Sequence, residues 1–188
     1  MSKTAVITFG RAAIPTKGHQ VLFDAVNSIA KKEHATPMIY LSHSFDKKKN
    51  PVDYDTKVDY LTKCGIKSII KSSEVKTIFD VLNKLEKEKY EKVIFVVGSD
   101  RVDSIRKAVL PYLGVGGVNN LSFDFDVVSA GERDPDSDES VSGISGSKMR
   151  QYVVDNDFGS FSKWVAGPVR IEDIKIIWNA ARHTMGLA

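Results

Sequence analysis

Apolar residues along this chain keep two alternating rhythms. Short runs rich in Val, Ile, Thr and Phe stand at 5–9, 37–41, 67–70, 92–97 and 121–128, and their length and β-branched content predict five strands. Between them the apolar positions recur three or four residues apart. Val21, Leu22, Ala25, Val26 and Ile29 begin this pattern after Pro15, and it returns at about 53–64, 75–89 and 102–113, predicting a helix after each of four strands. Three further helical stretches at 145–156, 158–165 and 171–184 close the chain, with Gly167 and Pro168 marking the joint before the last. Alternating strands and helices predict an α/β fold: a doubly wound, mostly parallel, five-stranded sheet with a C-terminal helical tail.

Composition narrows the class. A chain of 188 residues fits one domain, read as 1–165 with the helix at 166–188 packed on the same domain. The hydrophobic fraction of 42% and charged fraction of 27% exclude disorder as the dominant state. No window approaches the roughly 18 apolar residues of a membrane span. The opening MSKTAVITFG reads as a first strand rather than a secretory signal, so a cytoplasmic protein is expected. One cysteine, Cys64, precludes an internal disulfide, and His19, His34, His43 and His183 show no zinc spacing. The net charge of +3 is spread along the chain, which disfavours nucleic acid as a partner and suits a polyanionic small substrate. Three polar stretches, at 42–52, 114–120 and 130–143, read as mobile walls around a site.

Two segments carry candidate chemistry. In TFGRAAIPTKGHQ the first strand ends at Gly10 and a helix opens near Lys17, Gly18 and His19. Glycine lets the backbone approach a ligand, and the first N–H groups of a helix attract phosphate. An ordinary turn and first helical residue explain the same pattern equally well. The second segment, SGISGSKMR, places Ser145, Gly146, Ser147, Lys148 and Arg150 at another helix start. Hydroxyl, backbone and guanidinium donors there suit the β and γ phosphates of an NTP. A serine cap with an exposed basic turn is the alternative, although cations at a helix N-terminus oppose its dipole.

With these motifs the chain resembles the HIGH-type nucleotidyltransferases, which include nicotinamide-nucleotide, pantetheine-phosphate and cytidylyl transferases, and in particular short phage-encoded members. TKGH and ISGSKMR stand where that family carries [HT]xGH and ISSTxxR, and the resemblance runs from Ile7 to about Val165. It implies a Rossmann-like fold and NMP transfer to a phosphorylated acceptor with release of pyrophosphate. AMP from ATP is the leading donor and nicotinamide mononucleotide the leading acceptor; cytidylyl transfer to a phosphorylated alcohol and a non-catalytic virion module stay open. The resemblance gives catalytic roles to Thr16, Lys17, His19 and Arg150, and nucleotide contacts to Phe9, Gly10, Arg11, Gly18, Ile144, Ser145, Gly146, Ser147 and Lys148. GSDR, with Gly98, Asp100 and Arg101, is similar to the segment beside the base, and Lys49 to Pro51 with Lys57 and Tyr60 to the acceptor side. Mg2+ is expected, held mainly by phosphate oxygens and water. The sequence departs from the family at Thr16, at Gly146, and at Arg11, Ala12 and Ala13.

Other patterns carry less. Only Ser147 separates Gly146 from Lys148, so there is no Walker loop. Gly114, Gly116 and Gly117 lack a strand and helix to flank them as a dinucleotide fingerprint. Asp134, Asp136 and Asp138 imitate a calcium loop, but Glu139 stands where glycine is required. Lys47 to Lys49 read as a solvated run or an acceptor clamp, Asp100 and Arg101 as ligand contacts or helix caps, and Arg133 as loop charge or substrate anchor. An apolar face at Ile171, Ile174, Ile177, Trp178 and Ala181 reads as core and leaves a homo-oligomer open.

Overall fold

The computed structural model describes residues 2–114, 120–131 and 143–187. Gly116, Gly117, Arg133, Ser142 and the aspartates of the acidic stretch lie outside these residues. Strands β1 (Thr4–Gly10), β2 (Thr36–Leu41), β3 (Lys92–Val97) and β4 (Asp124–Ser129) form one sheet in the order β2-β1-β3-β4. β3 runs parallel to both its neighbours, with Val6 opposite Ile94 and Phe95 opposite Val127. The helices are α1 (Lys17–Lys32), α2 (Tyr54–Lys63), α3 (Ile78–Lys87), α4 (Val102–Val109), α5 (Gly146–Val154), α6 (Phe158–Trp164) and α7 (Ile171–Met185). The fold is α/β, with a parallel sheet.

Among the described residues the sheet has four strands where five were expected. Residues 67–70 make a single parallel bridge: Ile39 N–H donates to the Ser68 carbonyl at 2.8 Å, and Ile70 N–H to the Ile39 carbonyl at 2.9 Å. Positive φ at Gly65 (78°) and Ser68 (70°) turns the backbone out of the extended region, so no ladder grows from that bridge. The last strand also starts later than expected, at Asp124.

Two compact units, each built from separated segments, make up the chain. The first comprises 1–9, 22–40 and 68–133 and contains nearly all of the sheet. Its core is a cluster in which Ile7, Val93, Phe95 and Val97 of the strands pack with Tyr40 and with Val81, Leu82 and Leu85 of α3. α3 is started by a reciprocal cap, Asp80 N–H donating to Thr77 Oγ1 at 3.2 Å and Thr77 N–H to the Asp80 carboxylate at 2.8 Å. The outer strand β4 carries Asp124 and Asp126, charges that discourage pairing with a foreign strand.

The second unit comprises 10–21, 41–67 and 134–188. α7 packs on α2 and α5, burying Ile177, Trp178 and Ala181, so most of the apolar face read on that helix is core. Phe158 and Phe161 of α6 meet the Trp178 ring edge-on at 5.3 and 4.9 Å. Two polar contacts bind α2 to the C-terminal segment: Lys63 Nζ lies 2.8 Å from the Asp173 carboxylate, and the Tyr60 hydroxyl donates to the Ala166 carbonyl at 2.6 Å. Burial pushes the nearby Cys64 thiol up to about 11. Among the described residues no helix is long and apolar enough to cross a membrane.

Tyr60→Phe keeps the ring in place and strands the Ala166 carbonyl, so it should destabilise the protein by about 1–3 kcal/mol in urea denaturation. Unchanged stability would mean that the carbonyl finds another donor.

Candidate functional site

In the second unit, the segment after β1 turns sharply and then opens α1. Ala12 adopts φ 38°, an unfavourable conformation for a residue with a Cβ, and is buried. Thr16 then caps the helix reciprocally with His19. His19 N–H donates to Thr16 Oγ1 at 3.3 Å, and Thr16 N–H donates to His19 Nδ1 at 3.0 Å. This is a capping box in which an imidazole nitrogen takes the place of the usual Glu or Gln oxygen.

The chemical consequence lies in the tautomer. A backbone N–H can only donate, so Nδ1 must be the acceptor and the neutral ring carries its proton on Nε2. Thr16 itself is buried, with its hydroxyl 3.0 Å from the same Nδ1. It therefore orients His19. The N–H groups of Lys17 and Gly18, at the helix start, have no intrahelical acceptor and form the positive end of the dipole.

A strap of backbone fixes this helix start. Thr16 forms an antiparallel bridge with Val165, Ala166 N–H donates to the Pro15 carbonyl at 3.0 Å, and the Gln20 amide exchanges two hydrogen bonds with the backbone of Gly167. Nothing in the sequence marked Gln20 for this task.

The second motif lies in the same unit. Ser145 caps α5 by accepting from Lys148 N–H at 3.2 Å, and Ile144 beside it is buried. Arg150 folds back over the first turn, Nη2 donating to Ser147 Oγ at 3.0 Å and Nη1 to the Lys49 carbonyl at 3.1 Å. A methyl group at Gly146 would stand 3.3 Å from Nη1, so glycine leaves room for the guanidinium. Burial and then the neighbouring charge of Arg11 weaken the hold of Arg150 on its proton, while Asp46 opposes them. The charge of Arg11, from the first motif, is thus felt at Arg150 in the second, and neighbouring like charges favour an anion.

The stretch at 42–52, read as a mobile wall, contains a tied turn. The Asp46 carboxylate accepts from the N–H groups of Lys48 (2.8 Å) and Lys49 (2.7 Å) and from Asn50 Nδ2 (2.5 Å). Those bonds, the Asn50 side chain first, hold its carboxyl down at about 2. The turn aims the Lys49 carbonyl at Arg150, a role readable only as an Asp preceding Lys-Lys-Lys-Asn. Asn50 is buried, and its Oδ1 accepts no bond among the described residues. His43 stacks on Tyr54 at 3.7 Å between centroids. Lys57 and Tyr60, which the resemblance sets on the acceptor side, are both buried.

Phe9, Gly98, Asp100 and Arg101 belong to the first unit. Phe9 packs against its core, and Gly98 precedes a single turn, Ser99–Arg101, after β3. Arg101 occupies the cap position of α4 without a side-chain capping bond, which removes the capping alternative for that residue. Among the described residues no three or more His, Cys, Asp or Glu side chains gather as a metal cage.

Thr16→Val deletes the hydroxyl but keeps the N–H, so it should cost about 1 kcal/mol in denaturation while His19 stays the Nε2–H tautomer by 15N NMR. A predominant Nδ1–H form in either protein would contradict the Thr16–His19 bond. In comparison with known proteins, the chain matches no protein-family model and no curated protein.

Proposed function

We propose that this protein is a nucleotidyltransferase of the HIGH type, with a Rossmann-like doubly wound fold, that transfers an NMP group, AMP from ATP in the leading reading, to a phosphorylated small-molecule acceptor. The observation that carries the proposal is that one unit presents both the Thr16–His19 helix start and the Ser145-capped start of α5 with Arg150 folded over it.

In this reaction an acceptor phosphate oxygen attacks the α-phosphorus in line, the bond from the α-phosphorus to the oxygen bridging to the β-phosphate breaks, and pyrophosphate leaves. No protein nucleophile is needed, so the enzyme works by placement and charge stabilisation. His19 donates from Nε2–H to a nonbridging α-phosphoryl oxygen as negative charge grows there; its Nδ1, tied to Thr16, fixes the ring's direction. Lys17 and Gly18 offer helix-start donors and a cation to the same polyphosphate. Arg150, with Lys148 and the α5 start, holds the departing pyrophosphate, and Arg11 shares that charge. The substrate is the magnesium complex of the NTP, its ion ligated by phosphate oxygens and water.

Pyrophosphate release should be measured with each NTP against nicotinamide mononucleotide, nicotinate mononucleotide, phosphopantetheine and glycerol phosphate. One pair should turn over, and CTP with glycerol phosphate as the productive pair would replace adenylyl by cytidylyl transfer. NTP binding with no release from any pair would instead make the protein a nucleotide-binding module. For the active pair, His19→Ala should lower kcat at least roughly a hundredfold, about 2.7 kcal/mol of transition-state stabilisation. Turnover near wild type in that variant would sink the mechanism.

A further inference from the structure

Lys57 of α2 carries a charge into the interior of the second unit: its side chain is fully buried, with a relative exposure of 0%. Its ammonium donates to two backbone carbonyls, Arg11 O at 2.9 Å and Ser42 O at 3.0 Å. The two carbonyls come from segments far apart in sequence, one following β1 and one following β2. A third bond closes the arrangement, Ser42 N–H to the Gly10 carbonyl at 2.9 Å.

Burying an ammonium is costly, and a methionine of similar length would fill the space without that cost. The cost has a local purpose. The carbonyl that Lys57 grips precedes Ala12, the residue held at φ 38°. A peptide's N–H points opposite to its carbonyl, so drawing Arg11 O inward turns the Ala12 amide the other way and fixes the path on which the Arg11 side chain leaves the turn. We propose that Lys57 is a positioning residue for the anion site: through the Arg11 and Ser42 carbonyls it holds the strained Arg11–Ala12 turn, and so fixes the backbone from which the Arg11 guanidinium reaches the phosphates. This inference rests on the reading of Arg11 and Arg150 as a polyphosphate grip.

The electrostatic surroundings give the proposal a distinctive signature. Burial lowers the Lys57 ammonium from 10.5 to about 8, partly opposed by the charge of Asp53, which caps the same helix. Among the described residues the Arg11 turn and the Ser42 segment each offer the ammonium a backbone carbonyl. Burial also works against ionisation of Asp53, but the Thr56 N–H and hydroxyl outweigh it, so Asp53 stays anionic throughout the alkaline range. A neutral amine keeps two N–H donors but loses the charge assistance that makes its grip strong.

Stability and ligand binding then respond to pH in opposite directions. Since the folded pKa is depressed, the unfolded chain binds more protons between about 8 and 10.5, and stability rises with pH across that window. Affinity for the polyphosphate falls over the same window, because the turn slackens as Lys57 discharges. A guanidinium does not deprotonate in proteins, and phosphates with a second pKa of about 6 are already largely ionised at about pH 7.5, so neither accounts for the fall.

The experiment is calorimetric titration of the full chain with ATP at pH 7.5 and 9.5, alongside urea denaturation at both values, for the wild type and Lys57→Met. In the wild type, ATP affinity should fall severalfold at pH 9.5 while stability rises. Lys57→Met should bind ATP roughly tenfold more weakly at pH 7.5 and lose both pH responses. A folded Lys57→Met protein with wild-type affinity overturns the proposal and makes the lysine mere filling. If that variant does not fold, the wild-type titration decides: an affinity that is flat or rises from pH 7.5 to 9.5 overturns it. A wild type that binds no ATP at either pH overturns the functional reading and this inference together, a result distinct from equal binding by both proteins.

Discussion

A helix begins with backbone donors that its own turns leave unsatisfied, and at α1 that debt is shared between Thr16 and His19. The threonine hydroxyl takes the His19 N–H, and the imidazole takes the Thr16 N–H. One pair of short contacts thereby fixes where the helix starts, which ring nitrogen holds the proton, and how the ring is turned. The strap at Val165 to Gly167 reinforces the same point from the other end of the chain, through the Pro15 carbonyl and the Gln20 amide. Preorganisation of this kind matters most for an enzyme without a protein nucleophile, where placement of donors is the whole of the chemistry.

The charge arrangement around α5 follows a related logic. Arg150 is held by neutral acceptors, Ser147 Oγ and the Lys49 carbonyl, and its nearest carboxylate influence, Asp46, is largely engaged with its own turn. Acceptors of that sort orient a guanidinium without neutralising it. The charge of Arg11 acts on Arg150 in the same sense, an arrangement that suits the proposed polyphosphate site.

How much of this was legible in the sequence differs from residue to residue. Strand and helix rhythm placed β1, β2, β3 and most helices because their apolar spacing reflects local geometry and burial together. The stretch at 67–70 has strand composition, but its pairing was decided by positive φ at Gly65 and Ser68, and a serine in the left-handed region leaves no compositional trace. TKGH announced a helix start, yet the use of Nδ1 as a capping acceptor depends on ring orientation, which spacing does not encode. Lys47 to Lys49 looked like solvated charge. What organises them is Asp46, whose bonds are all to neighbouring residues but whose consequence, a carbonyl aimed at Arg150, crosses a hundred positions of sequence. The division into two interleaved units is equally invisible, since each is assembled from segments that meet only on folding.

Cys64 sits where α2 ends, beside Tyr60 and the Lys63–Asp173 contact, with its thiol held protonated up to about pH 11. A thiol reacts with alkylating reagents as the thiolate, so at neutral pH the native protein is chemically quiet at this position. The charge of Asp173 on α7 helps keep the proton on sulfur, so separating α7 from α2 makes the thiol more acidic and more reactive. The rate at which the single cysteine is alkylated is therefore a gauge of how often the C-terminal helix lets go.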